Sequence, residues 1–244
     1  MSDAEQGSNL IINGTGSSGG GTFDEVKING QGRVDGDVQC QSFYTNGRSK
    51  LVGDLRTEYC RVNGSSTIEG NVLADKLDVN GSFKLVGSFQ GREIKCDGQT
   101  KIEGPLSAEK IKTRGDLTVD ANLDTEEFDC KGSFKVAGLL NAGKLEITLH
   151  GASEAREIGG ESIRVKRSGV TNTIGKLVKG LFGINEYLTA DVIEGDHVIL
   201  EGTRARIVRG NHVTIGPECE IGLVEYKTEL HRDRNSTINE ERRI

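Results

Sequence analysis

The sequence predicts an all-β fold, a solenoid of parallel strands with about 17 residues per turn. Three observations predict it. Glycines recur at a fixed interval, apolar residues recur at the same interval, and within one interval the apolar residues come in pairs two apart. Spacing of two is a strand with one buried face, and a repeat of this length is the mark of stacked turns.

Glycine sets the phase. Of 244 residues 34 are glycine, roughly twice the usual share, and only two are proline, so the chain is neither collagen-like nor a Pro/Gly-rich coil. One series runs Gly30, Gly47, Gly64, Gly81, Gly98, Gly115 and Gly132. Each follows Asn, Asp, Arg or Lys, and Asn-Gly and Asp-Gly favour turns because both residues tolerate positive φ. A second series runs Gly36, Gly53, Gly70, Gly87, Gly104, Ala121, Gly138. Thirteen of these fourteen positions are glycine, where chance at this composition gives about two.

The side chains keep the same count. Val34, Leu51, Ile68, Leu85, Ile102, Val119 and Val136 form one ladder. Val38, Leu55, Val72, Phe89, Leu106, Leu123 and Leu140 form another, and Val26, Phe43, Cys60, Leu77, Ile94, Ile111, Phe128 and Leu145 a third. Within one turn Phe83 pairs with Leu85, Phe89 with Gly91 and Ile94 with Cys96. Corners near Gly87, Arg92–Glu93 and Gly98 separate the pairs, and no 3.6-residue stripe survives them. With aromatics at 5% and no tryptophan, the core is thin and repetitive.

In chain order, residues 1–25 read as a flexible Gly/Ser-rich segment holding an imperfect first turn at Ile11-Ile12-Asn13-Gly14. Residues 26–147 carry the regular coil, and 148–188 lose the glycine phase. Within the latter, Val170, Ile174, Leu177, Val178, Leu181, Ile184 and Leu188 fall at helical spacing, which predicts an amphipathic helical insertion over 170–188. Coil resumes over 189–226 with a period of 15, since Gly195-Asp-His-Val recurs as Gly210-Asn-His-Val and Ile193, Val208 and Leu223 keep that count. Residues 227–244 read as a charged tail, a frayed final turn or disorder.

Bulk properties set the setting. A net charge of −6 and a pI near 5.4 disfavour a nucleic-acid partner. The acidic start Met-Ser-Asp-Ala-Glu-Gln lacks the apolar run of a signal peptide, and no long apolar stretch spans a membrane. Five cysteines without a CxxC pair read as free thiols in a reducing compartment. The expected location is the cytoplasm, with the inner face of the cell membrane as the second expectation.

The repeated Val62-Asn-Gly64 through Ile68-Glu-Gly70 turns, with the distal block Val208-Arg-Gly-Asn-His-Val-Thr-Ile-Gly-Pro217 through Ile221-Gly-Leu-Val-Glu-Tyr226, resemble the bactofilins. The likeness runs over roughly residues 10–226 and is closest to long Gram-positive members. It implies a right-handed triangular β-helix that assembles end to end without nucleotide. It further implies a scaffold for cell shape, envelope-enzyme placement or motility. This chain departs from compact members in its helical stretch and in its change of period. Apart from the resemblance, a solenoid has two ends that expose strand edges, and no segment reads as a clear polar cap, the charged tail being the one candidate at one end.

No catalytic, cofactor-binding or metal-binding residues are expected. Gly138-Leu-Leu-Asn-Ala-Gly-Lys-Leu145 nearly spells a phosphate loop, but Leu145 replaces the Mg²⁺-holding hydroxyl and belongs to an inward ladder. Cys40, Cys60, Cys96 and Cys130 sit in ladders as small hydrophobes. His197 and His212 lie one short turn apart and read as a solvated outward ladder ahead of a metal or acyl-transfer pair. The hexads Ile215-Gly216 and Ile221-Gly222 keep a hexapeptide-repeat acyltransferase as the alternative. Polysaccharide-acting β-helix enzymes are disfavoured, because 17-residue turns leave no room for loops bearing carboxylates.

Two surfaces invite contact. Arg33, Lys50, Lys84, Lys101 and Lys135, with Thr67 and Thr118, share one outward position; this reads first as a solvated face offset by Glu69, Glu103 and Asp120, and second as a stripe for anionic lipid or another polymer. Leu177, Leu181, Phe182, Leu223 and Tyr226 are the candidate polymer or membrane contacts, although the stretch 170–188 reads first as packing on its own solenoid and second as lying on a membrane. The expected partner is another copy of the chain, with a membrane surface or envelope protein second and no small-molecule substrate. Matches to Asn-X-Ser/Thr at Asn13, Asn63, Asn80 and Asn235 follow from corner chemistry.

Overall fold

The computed structural model describes residues 8–168 and 186–244. They form a parallel β-solenoid, with about 13 turns in all, and the described residues hold no helix. The chain divides into two compact units, Met1–Glu109 and Lys110–Ile244, and strand Leu106–Thr113 carries the boundary.

The first unit follows the glycine phase. Short strands Arg48–Val52, Ser65–Glu69, Ser82–Val86 and Gln99–Ile102 alternate with longer strands Leu55–Val62, Val72–Val79 and Phe89–Cys96. Each short strand pairs in parallel with the next short one, so Val34, Leu51, Ile68, Leu85 and Ile102 are successive partners. The long strands do likewise, aligning Val26, Phe43, Cys60, Leu77 and Ile94. All of these side chains are buried, and each fully buried Leu, Ile, Val or Phe contributes about 1.5–3 kcal/mol. The smaller ladder places hydroxyls in the core, where Thr45 bonds Ser49 at 2.9 Å and Ser49 donates to Ser66 at 2.8 Å; pairing removes the cost of burying them.

The corner glycines serve two different needs. At Gly53 (φ 144°) and Gly70 (φ 156°) the backbone occupies a region that side chains avoid. At Gly47 and Gly64 the need is space. A Cβ there would lie 2.0 Å from the carbonyl oxygen of the corresponding glycine one turn earlier.

The glycine-rich start departs from its reading as a flexible loop. Ser8–Ile12 and Thr15–Ile28 are strands, the latter pairing from Thr15↔Gln31 to Ile28↔Thr45 with one irregularity between Gly19 and Gly21. A β ladder is a main-chain structure, so a segment poor in side chains still completes the turn when a template strand lies beside it.

The second unit keeps its ladders while the turn length changes. Leu123 pairs with Leu140, Leu140 with Ile158, Ile158 with Ile193, Ile193 with Val208, and Val208 with Val224. Residues 148–168, which lose the glycine phase, therefore stay in the sheet: Ser133–Leu149 pairs with Ser153–Arg167 with one shift between Val136 and Leu139. The 15-residue step holds for one turn only. The next step is 16, so Leu223 is the partner of Ile207 and the buried ladder position falls to Val224. The charged segment 227–244 also stays in the sheet, since Glu220–Arg232 is one continuous strand and Thr237–Arg243 pairs along its first half.

The predicted helix over 170–188 lies outside the described residues except for its last three positions. Glu186 and Tyr187 have no regular structure, and Leu188 opens strand Leu188–Leu200.

Candidate functional site

The surface carries the same repetition as the core. In the first unit the Asn-Gly corners form a chain of side-chain amides. Asn29 donates to Asn13 at 2.6 Å, Asn46 to Asn29 at 2.9 Å, Asn63 to Asn46 at 2.8 Å and Asn80 to Asn63 at 2.9 Å. An amide suits this position because it both donates and accepts. The second corner repeats the device with mixed partners. Asp37 accepts from the Asp54 backbone at 2.8 Å, Asp54 from that of Asn71 at 2.6 Å, and Asn71 from that of Ser88 at 3.0 Å.

The outward basic position is neutralised by its neighbours. Arg33, Lys50, Thr67, Lys84 and Lys101 align in register. Arg33 pairs with Asp35 at 2.5 Å, Lys50 with Glu69 at 2.7 Å and Lys84 with Glu103 at 3.0 Å. In the second unit Lys135 pairs with Glu154 at 3.2 Å. Acids two residues along the strand, or one turn on, stand within reach of the stripe, so it is a mixed-charge face.

A denser polar group surrounds Asp78, which is nearly buried. Tyr59 donates its hydroxyl to Asp78 at 2.6 Å, and Arg61 reaches the same oxygen at 3.2 Å. Tyr44 meets Tyr59 edge to face, with ring centres 5.7 Å apart. Burial, with the Asp78 bond second, pushes the Tyr59 phenol up to about 12, so it stays protonated and donating at neutral pH.

The second unit carries alternating charges. Glu194, Arg209, Glu225 and Arg242 are successive partners. Arg209 donates to Glu225 at 2.6 Å and Arg242 reaches it at 3.1 Å. The Arg209 hydrogen bond holds the Glu225 carboxyl below its ordinary value. Beside this ladder, Gly160, Gly195 and Gly210 align one turn apart and leave a surface cleft of about 540 Å³ edged by Glu157, Glu161, Glu194, Asp196, Arg209 and Lys227. The repeat Gly195/Gly210 is visible in the sequence. Gly160 is not, because 35 residues separate it from its partner.

His197 and His212 do stack, with ring centres 4.8 Å apart and planes 13° from parallel, and both are exposed. Ser162 precedes them in register and Glu229 follows. Among the described residues no three His, Cys, Asp or Glu side chains gather to hold a metal. None of the five cysteines forms a disulfide, and all are buried. Burial pushes the Cys60 thiol far up and raises that of Cys219 to about 11. Of the candidate contacts, Leu223 and Tyr226 are half-buried, while Leu177, Leu181 and Phe182 lie outside the described residues. In the segment that nearly spells a phosphate loop, Leu145 is buried, as the inward ladder requires.

Among the described residues no helix is long and apolar enough to cross a membrane. No family model matches the chain, and no solved structure matches it. The uncharacterized protein YhbE of Bacillus subtilis (strain 168) is 58% identical over 231 residues, which are 94% of this chain and 95% of that one. The uncharacterized protein YhbF of the same organism is 43% identical over 97 residues, 39% of this chain and 37% of its own.

Proposed function

The chain belongs to the family of YhbE, and from that premise we propose that it is a non-enzymatic scaffold that assembles end to end into filaments without nucleotide. The observation that carries this reading is a pair of strand edges. Ser8–Ile12 pairs on one side with Thr15–Ile28, and Thr237–Arg243 pairs on one side with the first half of Glu220–Arg232. Among the described residues neither has a strand on its other side. Unpaired edges recruit further strands unless charge, proline or a covering segment guards them.

The two edges differ in chemistry. Ser8-Asn-Leu-Ile-Ile12 has no charge, and Ile11 is 51% exposed. Thr237–Arg243 carries Glu240, Glu241, Arg242 and Arg243, charges that guard this edge more than the other. Ladders of paired charges and bonded amides support a structural role too, because they present one surface many times over. On this proposal the filament is cytoplasmic, serves cell shape, envelope-enzyme placement or motility as bactofilins do, and takes a membrane surface or envelope protein as its second partner.

Sedimentation of the full chain tests it. Wild type is expected in the pellet without added nucleotide, and Ile11→Asp, which puts a charge on the open edge, in the supernatant with an unchanged circular dichroism spectrum. Equal pelleting of the two removes the edge from the account. The stacked His197–His212 pair favours a second reading, a hexapeptide-like acyltransferase. Acyl-CoA turnover that disappears in His212→Ala would establish that instead.

A further inference from the structure

Five Asn-Gly pairs stand one turn apart in the first unit: Asn13-Gly14, Asn29-Gly30, Asn46-Gly47, Asn63-Gly64 and Asn80-Gly81. This dipeptide carries its own reaction. The glycine backbone nitrogen attacks the asparagine Cγ, loses its proton and closes a five-membered succinimide, and the side-chain nitrogen leaves as ammonia. Water then opens the imide to aspartate or isoaspartate. Two freedoms are needed: the glycine peptide must swing toward Cγ, and the side-chain nitrogen must be released.

Four of the pairs lack both freedoms. Asn29, Asn46, Asn63 and Asn80 each commit their side-chain nitrogen to the amide one turn before. Their glycines are pressed on the preceding corner, where a Cβ at Gly30, Gly47, Gly64 or Gly81 would lie 2.0–2.1 Å from a backbone oxygen. Asn13 differs on both counts. It accepts from Asn29, and its own nitrogen donates to no side chain among the described residues. A Cβ at Gly14 would meet nothing within 4 Å, and both residues are exposed.

We propose that Asn13-Gly14 is a spontaneous deamidation site, singled out from five identical dipeptides by its place at the donor-free end of the amide ladder. The ladder is polar, and this end is where it tolerates the product. An aspartate at 13 still accepts from Asn29. An aspartate at 46 would accept from Asn63 but have nothing to donate to Asn29, leaving two oxygens face to face. Asp97 illustrates the second case: it follows Asn80 by one turn, cannot donate to it, and pairs with Lys95 at 2.8 Å instead. Deamidation to aspartate therefore adds a negative charge beside the Ser8–Ile12 edge and leaves the amide chain whole.

The test is peptide mapping of the full chain after incubation at mildly alkaline pH, with and without urea. Native protein is expected to show the one-dalton gain at Asn13 about tenfold faster than at the other four, a difference of roughly 1.4 kcal/mol in barrier. In urea the five rates converge. Equal native rates, a faster site elsewhere, or an Asn13 as slow as the rest would overturn the proposal. Two variants check the polarity separately: Asn13→Asp is expected to melt with wild type and Asn46→Asp several degrees lower, and the reverse order would refute it.

Discussion

Replacing Gly64 by alanine adds a single methyl group at a corner where the fold has no room for one. The new Cβ would lie 2.0 Å from the Gly47 carbonyl oxygen and 2.9 Å from its carbon. Both are backbone atoms, so no side-chain rotation relieves the contact. The turns must part by about an ångström, at the expense of the Ser65 N–H bond to that same oxygen, 2.8 Å long. Overpacking of this kind costs about 1–3 kcal/mol and the hydrogen bond about 1. Alanine returns about 0.4–1 kcal/mol by restricting the unfolded chain. The net loss is about 2–3 kcal/mol, which for a chain of this size lowers the melting temperature by roughly 5–10 °C. Gly19→Ala is the matched control, because its Cβ would stand 4.0 Å from the nearest atom; its effect should stay within about 0.5 kcal/mol. Thermal melts followed by circular dichroism decide between them. If the two variants melt together, close stacking is not why the corners are glycine.

Two further predictions concern the core. Leu85→Asp places a carboxylate between Ile68 and Ile102 at a position with no exposure. It forfeits about 2 kcal/mol of burial and leaves an unpaired charge, so the coil signal should be lost; an unchanged melt contradicts the assigned register. The buried thiols should resist Ellman's reagent at pH 8 in native protein, with all five reacting in denaturant; rapid native reaction would place a cysteine at the surface. Because the folded chain holds the Cys219 proton more tightly than the ordinary value of 9.0 allows, its contribution is full below about pH 9. It falls as pH rises toward about 11, and the melting temperature should decline over that window.

The regular coil was legible because like residues stack on like residues. In-register pairing forces Val34, Leu51, Ile68, Leu85 and Ile102 onto one line, and that line is a period in the sequence. What escaped is what a period cannot carry. The glycine-rich strand Thr15–Ile28 has too few side chains to show a pattern and is held through its main chain. Leu223 keeps the 15-residue count, yet one added residue in its turn hands the buried position to Val224. The charged end looks like a tail because its outward residues dominate, while Ile221↔Ile238 continues the inward ladder. On the surface, the asparagine corners were legible as turns, but their hydrogen-bonded direction, and with it the distinct place of Asn13, depends on geometry between turns.

On the proposed function, this solenoid polymerises through its open edges. Negative-stain electron microscopy of the purified full chain, across salt and protein concentration and without nucleotide, decides the matter. Unbranched filaments are the expected result. Monomers alone at every condition would contradict it, and discrete trimers would point to the acyltransferase reading instead.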